Sequence, residues 1–92
     1  MQPIDRSEIV RLMSIDTDDA HQGWRVVFEY PSTRSTDRGY RAAHERARRI
    51  RYGKHKELAG LGVWNARAGR LNKSTVAIWL RYEGADGTRW EK

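Results

Sequence analysis

Alternation is clearest along residues 24–30. Trp24, Val26, Phe28 and Tyr30 fall on one side, Arg25, Val27 and Glu29 on the other. A period of two predicts a half-buried strand, and Pro31 ends it because proline cannot donate to a ladder. After a polar connector the period lengthens. Tyr40, Ala43, Ala47 and Ile50 recur at spacings of three, four and three, one stripe of an amphipathic helix. Thr36 or Asp37 is placed to cap its first turn, and Gly53 to end it in the left-handed region. Its alanines let the helix lie close to whatever it covers. Leu61 to Arg67 alternates more weakly and predicts a second strand. Ala68 to Lys73 then reads as a turn or longer excursion. Ser74 to Tyr82 predicts a third strand, with Val76, Ile78, Leu80 and Tyr82 on one face and Thr75, Ala77, Trp79 and Arg81 on the other. Glu83-Gly84-Ala85-Asp86-Gly87 is turn chemistry. Thr88 to Glu91 should pair back as a short last strand anchored by Trp90.

Upstream, Asp5-Arg6-Ser7-Glu8 resembles a capping box with Asp in the Ser/Thr role. Ile9, Leu12 and Met13 follow, so a short helix is expected from about residue 6 to 13. Alone it is too short to be stable and must dock. The fold class is therefore α+β: a short N-terminal helix, then β-α-β-β-β, with one helix packed across an antiparallel sheet. The 92 residues make a single domain. Residues 1–20 form an acidic helix and loop, and 24–92 the α+β core. The sheet's far face should be wet, with Trp79 or Trp64 exposed on it.

Charge sharpens this picture. At 100° per residue, Arg41, Glu45, Arg48, Arg49 and Tyr52 lie opposite the apolar stripe, with Arg46 and Arg51 flanking it. Lys54 and Lys56 continue the basic run past Gly53. From Arg38 to Leu58 there are eight Lys/Arg against two Glu, net +6, which equals the net charge of the whole chain. Residues 1–20 carry five acids and two bases, so residues 21–92 are net +9. So one-sided a face, relieved only by the i,i+4 pairs Arg41–Glu45 and Glu45–Arg49, points to an anionic or acidic partner. The candidate binding residues are Arg41, Arg48, Arg49, Tyr52, Lys54 and Lys56, joined by Arg67, Arg70 and Lys73 of the 67–73 excursion. Tyr52, among Arg48, Arg49 and Arg51, is placed to stack on an unpaired base.

The chemistry of an active site is missing. With no cysteine, disulfides, thiolate zinc sites and cysteine nucleophiles are excluded. His21, His44 and His55 lack metal-ligand spacing. Asp16, Asp18, Asp19 and His21 suggest a calcium loop, but Ala20, His21 and Val27 stand where ligands or glycine belong. Gly60-Leu61-Gly62 lacks the third glycine of a dinucleotide fingerprint. Leu58-Ala59-Gly60-Leu61 resembles the opening of a homing-endonuclease motif, yet Val63, Trp64 and Asn65 replace its acids. Glu29 and Glu83 are a carboxylate pair only if the sheet brings them together. No enzyme activity, metal or cofactor is expected. No apolar run approaches the roughly 20 residues of a membrane span, and no secretory signal opens the chain.

The ending Ala77-Ile78-Trp79-Leu80-Arg81-Tyr82-Glu83-Gly84, then Asp86-Gly87-Thr88-Arg89-Trp90, and the Ala43–Ile50 run Ala-x-x-x-Ala-Arg-Arg-Ile carry a resemblance. Over residues 24–92 the chain resembles small phage-encoded anti-CRISPR proteins, inhibitors of type I surveillance complexes. The acidic N-terminal helix and the heavier arginine load depart from their pattern. The resemblance implies a non-enzymatic inhibitor in the cytoplasm of a bacterial host. It would bind a nucleoprotein complex of Cas proteins and guide RNA through basic side chains and block target nucleic-acid access. The alternative is a stand-alone DNA- or RNA-binding module, such as an accessory regulator or a recombinase arm-type domain. A small RNA-cleaving toxin is disfavoured by the missing acid–base pair.

Overall fold

The computed structural model describes residues 3–91. Helix α1 spans Arg6–Met13, strand β1 Arg25–Pro31, helix α2 Arg38–Arg51, strand β2 Val63–Asn72 and strand β3 Thr75–Gly84, with a single 3-10 turn at Lys56–Leu58. The three strands form one antiparallel sheet in the order β1-β3-β2. The last strand in sequence is therefore the central one. Both helices lie on the same face, around one core of Ile9 and Leu12 from α1, Ala43, Ala47 and Ile50 from α2, and Phe28, Trp64, Ala66, Val76, Ile78 and Leu80 from the sheet. The α+β architecture with a helix across an antiparallel sheet is the one the patterning predicts.

Within it, several local expectations give way. β1 carries a bulge between Val26 and Phe28. The inserted residue, Val27, turns towards the core beside the fully buried Phe28, and Val26 is left 37% exposed. A bulge shifts the period of two by one residue, so the simple alternation fails at Val26. Leu61 stays outside the sheet, because Gly60 and Gly62 both adopt positive φ and hold the chain in turns up to Val63. Ala68–Asn72 is not an excursion. It continues β2 to a tight hairpin, with Asn72 opposite Thr75. The segment 88–91 is a turn rather than a fourth strand, with Glu91 N–H donating to the Thr88 carbonyl. Trp90 anchors it as expected, its indole N–H donating to the Tyr82 carbonyl at 2.7 Å.

The helix caps also divide. Asp5 caps α1, accepting from Ser7 N–H at 3.1 Å, while Glu8 pairs forward with Arg11 at 2.7 Å. Asp37 stands at the N-cap position of α2, but its carboxylate does not cap the helix. It accepts instead from Ser32 Oγ, Thr33 N–H and Arg34 N–H at 2.7, 2.9 and 3.1 Å, folding the connector back on itself. Gly53 ends α2 with φ 71°, as predicted.

On the far face of the sheet, Trp79 is half-buried, whereas Trp64 belongs to the core. Arg81 lies between the rings of Trp24 and Trp90, at 5.0 and 5.1 Å, and pairs with Glu83 at 3.1 Å. Trp24 therefore joins the far face instead of sharing the core with Phe28.

Candidate functional site

α2 turns Ala43, Ala47 and Ile50 to the sheet, so helical geometry alone places Arg41, Arg48 and Arg49 outside. Between them stands one acid, Glu45. Its Oε1 is shared by Arg48 Nη2 at 3.4 Å and Arg49 Nε at 3.6 Å. The expected Arg41–Glu45 pair is not made; Glu45 leans the other way. All three paired side chains are about half exposed or more, and ion pairs in that setting hold their partners weakly. The guanidinium groups thus remain available to another anion. Tyr52 follows at the C-terminal end of the helix, 69% exposed. Arg51 reaches back to donate to the Ala66 carbonyl at 3.1 Å, which ties it to β2.

Gly53 then reverses the chain. Lys54 N–H donates to the Arg49 carbonyl at 2.8 Å, a helix-terminating bond that lays residues 54–57 back alongside α2. Lys54 and Lys56, both exposed, come to stand beside Arg49. The two segments enclose a groove of about 610 Å³, with Tyr30, Ala42, Arg46 and Arg49 on one side and residues 54–57 on the other. Six of the nine candidates, Arg41, Arg48, Arg49, Tyr52, Lys54 and Lys56, thereby share the α2 side of the molecule.

The other three lie elsewhere. Arg67 is on the far face of the sheet, its guanidinium 5.3 Å from the Trp24 ring. Arg70 is a structural staple. Its Nη1 donates to the Ser32 carbonyl at 2.7 Å and, more weakly, to the Asn72 and Lys73 carbonyls at 3.3 and 3.4 Å. Lys73 is exposed at the hairpin turn. The 67–73 stretch does not extend the α2 face as one surface, because residues 67–72 belong to β2, with an irregularity in register between Arg70 and Asn72, and Lys73 to the turn after it.

Two features of the site carry weak sequence signals. Arg46 is only 4% exposed, with its guanidinium 3.6 Å from the Phe28 ring centroid and Nη1 donating to Tyr30 Oη at 3.1 Å. On a helical wheel it is simply one more arginine at the stripe's edge. The groove depends on the reversal at Gly53, and the pairing of Gly53 with a basic run was its only trace. At the groove wall, burial and then the neighbouring Arg46 hold the His55 imidazole below its ordinary pKa, which favours the neutral ring at neutral pH.

The acidic loop holds itself together. Asp19 accepts from His21 N–H, Gly23 N–H and both Nη atoms of Arg25, the shortest contact being 2.6 Å. Among the described residues no group of three or more His, Asp or Glu stands where it could hold a metal ion. Glu29 and Glu83 do not meet: Glu29 is opposite Ala77, six residues from Glu83 along β3, or roughly 20 Å at strand rise. No helix among the described residues is long and apolar enough to cross a membrane. No protein-family model matches the chain, and no curated protein or solved structure shows significant similarity to it.

Proposed function

We propose that the protein is a non-enzymatic inhibitor that occupies a nucleic-acid-binding surface of a nucleoprotein complex and blocks access to it. The observation that carries this reading is the α2 side itself. Arg41, Arg48, Arg49, Lys54 and Lys56 are all exposed, and the one acid of the helix, Glu45, pairs only with Arg48 and Arg49. Clustered guanidinium and ammonium groups on a rigid element neutralise phosphates or acidic side chains without reading sequence. The likeness of the Ala43–Ile50 run and the 77–90 ending to anti-CRISPR proteins directs this surface to a type I surveillance complex of Cas proteins and guide RNA.

The test is target-DNA binding by a purified type I surveillance complex, preincubated with the protein. Loss of DNA binding, restored by the double charge reversal Arg48→Glu with Arg49→Glu, is the expected result. Undiminished DNA binding at saturating protein overturns the inhibitor reading.

A second reading, a stand-alone DNA- or RNA-binding module, is favoured by Tyr52, which stands 69% exposed beside the basic face. An aromatic ring among arginines stacks on unpaired bases. Salt dependence separates the two. Direct phosphate binding weakens steeply with ionic strength, whereas a protein interface with an apolar centre weakens less.

A further inference from the structure

The groove beside α2 has features that a charged face alone does not need. Its volume of about 610 Å³ lies within the range of small-molecule sites, about 300–1,000 Å³. One wall is Tyr30, Ala42 and the buried Arg46. Arg46 is fixed there by its stack on Phe28 and its bond to Tyr30 Oη, so it presents charge without having to be ordered on binding. Arg49, Lys54 and Lys56 add three exposed cations. The lining also carries two carboxylates, Glu45, held weakly by Arg48 and Arg49, and Glu57, whose Oε2 accepts from Ile4 N–H at 2.8 Å, so four Lys/Arg stand against two Glu and the lining stays net positive. His55 lines the same groove, half-buried, with its Nδ1 turned away from solvent.

We propose that this groove seats one nucleoside phosphate, its base against Tyr30 and Ala42 beside the His55 ring and its phosphate on Arg49, Lys54 and Lys56. The proposal rests on the reading of the α2 side as a polyanion surface and adds the place where a single nucleotide sits. A phosphate monoester offers three acceptor oxygens and nearly two charges to a cluster of cations, whereas a carboxylate offers two oxygens and one charge. That, and a groove with room for one small molecule, favour a nucleotide over an acidic peptide.

The experiment follows the His55 and Tyr30 ring resonances of the full chain while adenosine monophosphate, inorganic phosphate or an acidic peptide is added. The variant is Ala42→Trp, which fills the groove from an exposed helical position without changing any charge. Adenosine monophosphate should shift both rings saturably and bind at least about tenfold tighter than inorganic phosphate. Ala42→Trp should lose that binding while still binding duplex DNA or the surveillance complex like the wild type. Oligonucleotides with a 5′-phosphate or a 5′-hydroxyl then identify the source. A strong preference for the phosphorylated end assigns the groove to a strand terminus, and affinity no better than that of the mononucleotide assigns it to a free nucleotide. Unmoved His55 and Tyr30 resonances in the wild type overturn the proposal, as does an acidic peptide that binds as well as the nucleotide. Loss of nucleotide and polyanion binding together in Ala42→Trp also overturns it, since the groove would then not be a separate site. If the nucleotide seats but no polyanion or complex is bound, the proposed function falls and the pocket stands.

Discussion

The guanidinium of Arg46 lies flat enough over Phe28 to bring its central carbon 3.6 Å from the ring centroid, and both residues are almost wholly buried. A desolvated cation on an aromatic face is favourable, and the arginine stem also fills core space. Arg46 is thus part of the core although it belongs to the most basic segment of the chain.

Arg46→Ala should therefore cost stability on the scale of a buried large-to-small change, about 2–4 kcal/mol. Chemical denaturation measures it. Arg46→Lys should recover only part of the loss, because an ammonium has neither the planar stack nor the fork that reaches Tyr30. Full stability in the alanine variant would mean that the stack contributes nothing.

Gly39, in the first turn of α2, should resist replacement for a steric reason. A Cβ there would land on the carbonyl oxygen of Pro31, at the end of β1. Helix propensity by itself favours Gly→Ala by about 1 kcal/mol. Here the neighbour is backbone and cannot swing away, so Gly39→Ala should instead destabilise, by about 1–3 kcal/mol. Thermal denaturation gives the sign directly.

Acid stability should depend on Asp19. Its hydrogen bonds from Arg25, Gly23 and His21 hold the carboxyl well below its ordinary value of 3.8. Between the depressed folded value and 3.8 the unfolded chain binds the proton more readily than the folded one, so stability rises with pH through that window. The contribution is complete above about pH 4 and is lost as pH falls through the folded value. Asp19→Asn should be less stable than the wild type at neutral pH and should lose less between about pH 5 and about pH 2. Asp37 and Asp86 are depressed in the same direction, so some acid sensitivity remains. Denaturation midpoints across that range provide the comparison.

The double reversal Arg48→Glu with Arg49→Glu should leave the fold intact, since both side chains are exposed. If binding is to phosphates, neutralising two fewer of them should reduce the slope of log affinity against log salt by about 2, with affinity down by at least about tenfold. Fluorescence anisotropy on a labelled oligonucleotide at several salt concentrations reads both. An unchanged slope and affinity would place the site away from this face.

Where side-chain periodicity is strong, sequence and structure agree. Ile9 and Leu12 in α1, Ala43, Ala47 and Ile50 in α2, and Val76, Ile78 and Leu80 in β3 all face the core as their spacing requires. Disagreement concentrates where the informative atoms belong to the backbone. A bulge at Val27 leaves the residue types unchanged and alters only the register. The middle of β2 holds Ala66, Ala68 and Gly69, side chains too small to declare a face, and the strand state of the residues beyond them follows from pairing with β3. Charge behaved likewise. The exposed arginines of α2 were legible from the helical wheel, but the wheel did not separate Arg46, which packs, or Arg70, which staples Ser32 to the hairpin turn. Both depend on contacts between segments far apart in the chain.

The order β1-β3-β2 has a consequence for how the chain is made. Both outer strands must wait for the central one, which is the last strand to be synthesised. A nascent chain that has emerged only as far as the hairpin turn holds two helix sequences and two strands with no common partner. Those strands do not pair with each other in the finished sheet. Pro31 must meet Thr75, and Val63 must meet Gly84, before any core closes. Contacts of such sequence separation form late and slowly, so the fold should appear in one cooperative step once β3 is free of the ribosome.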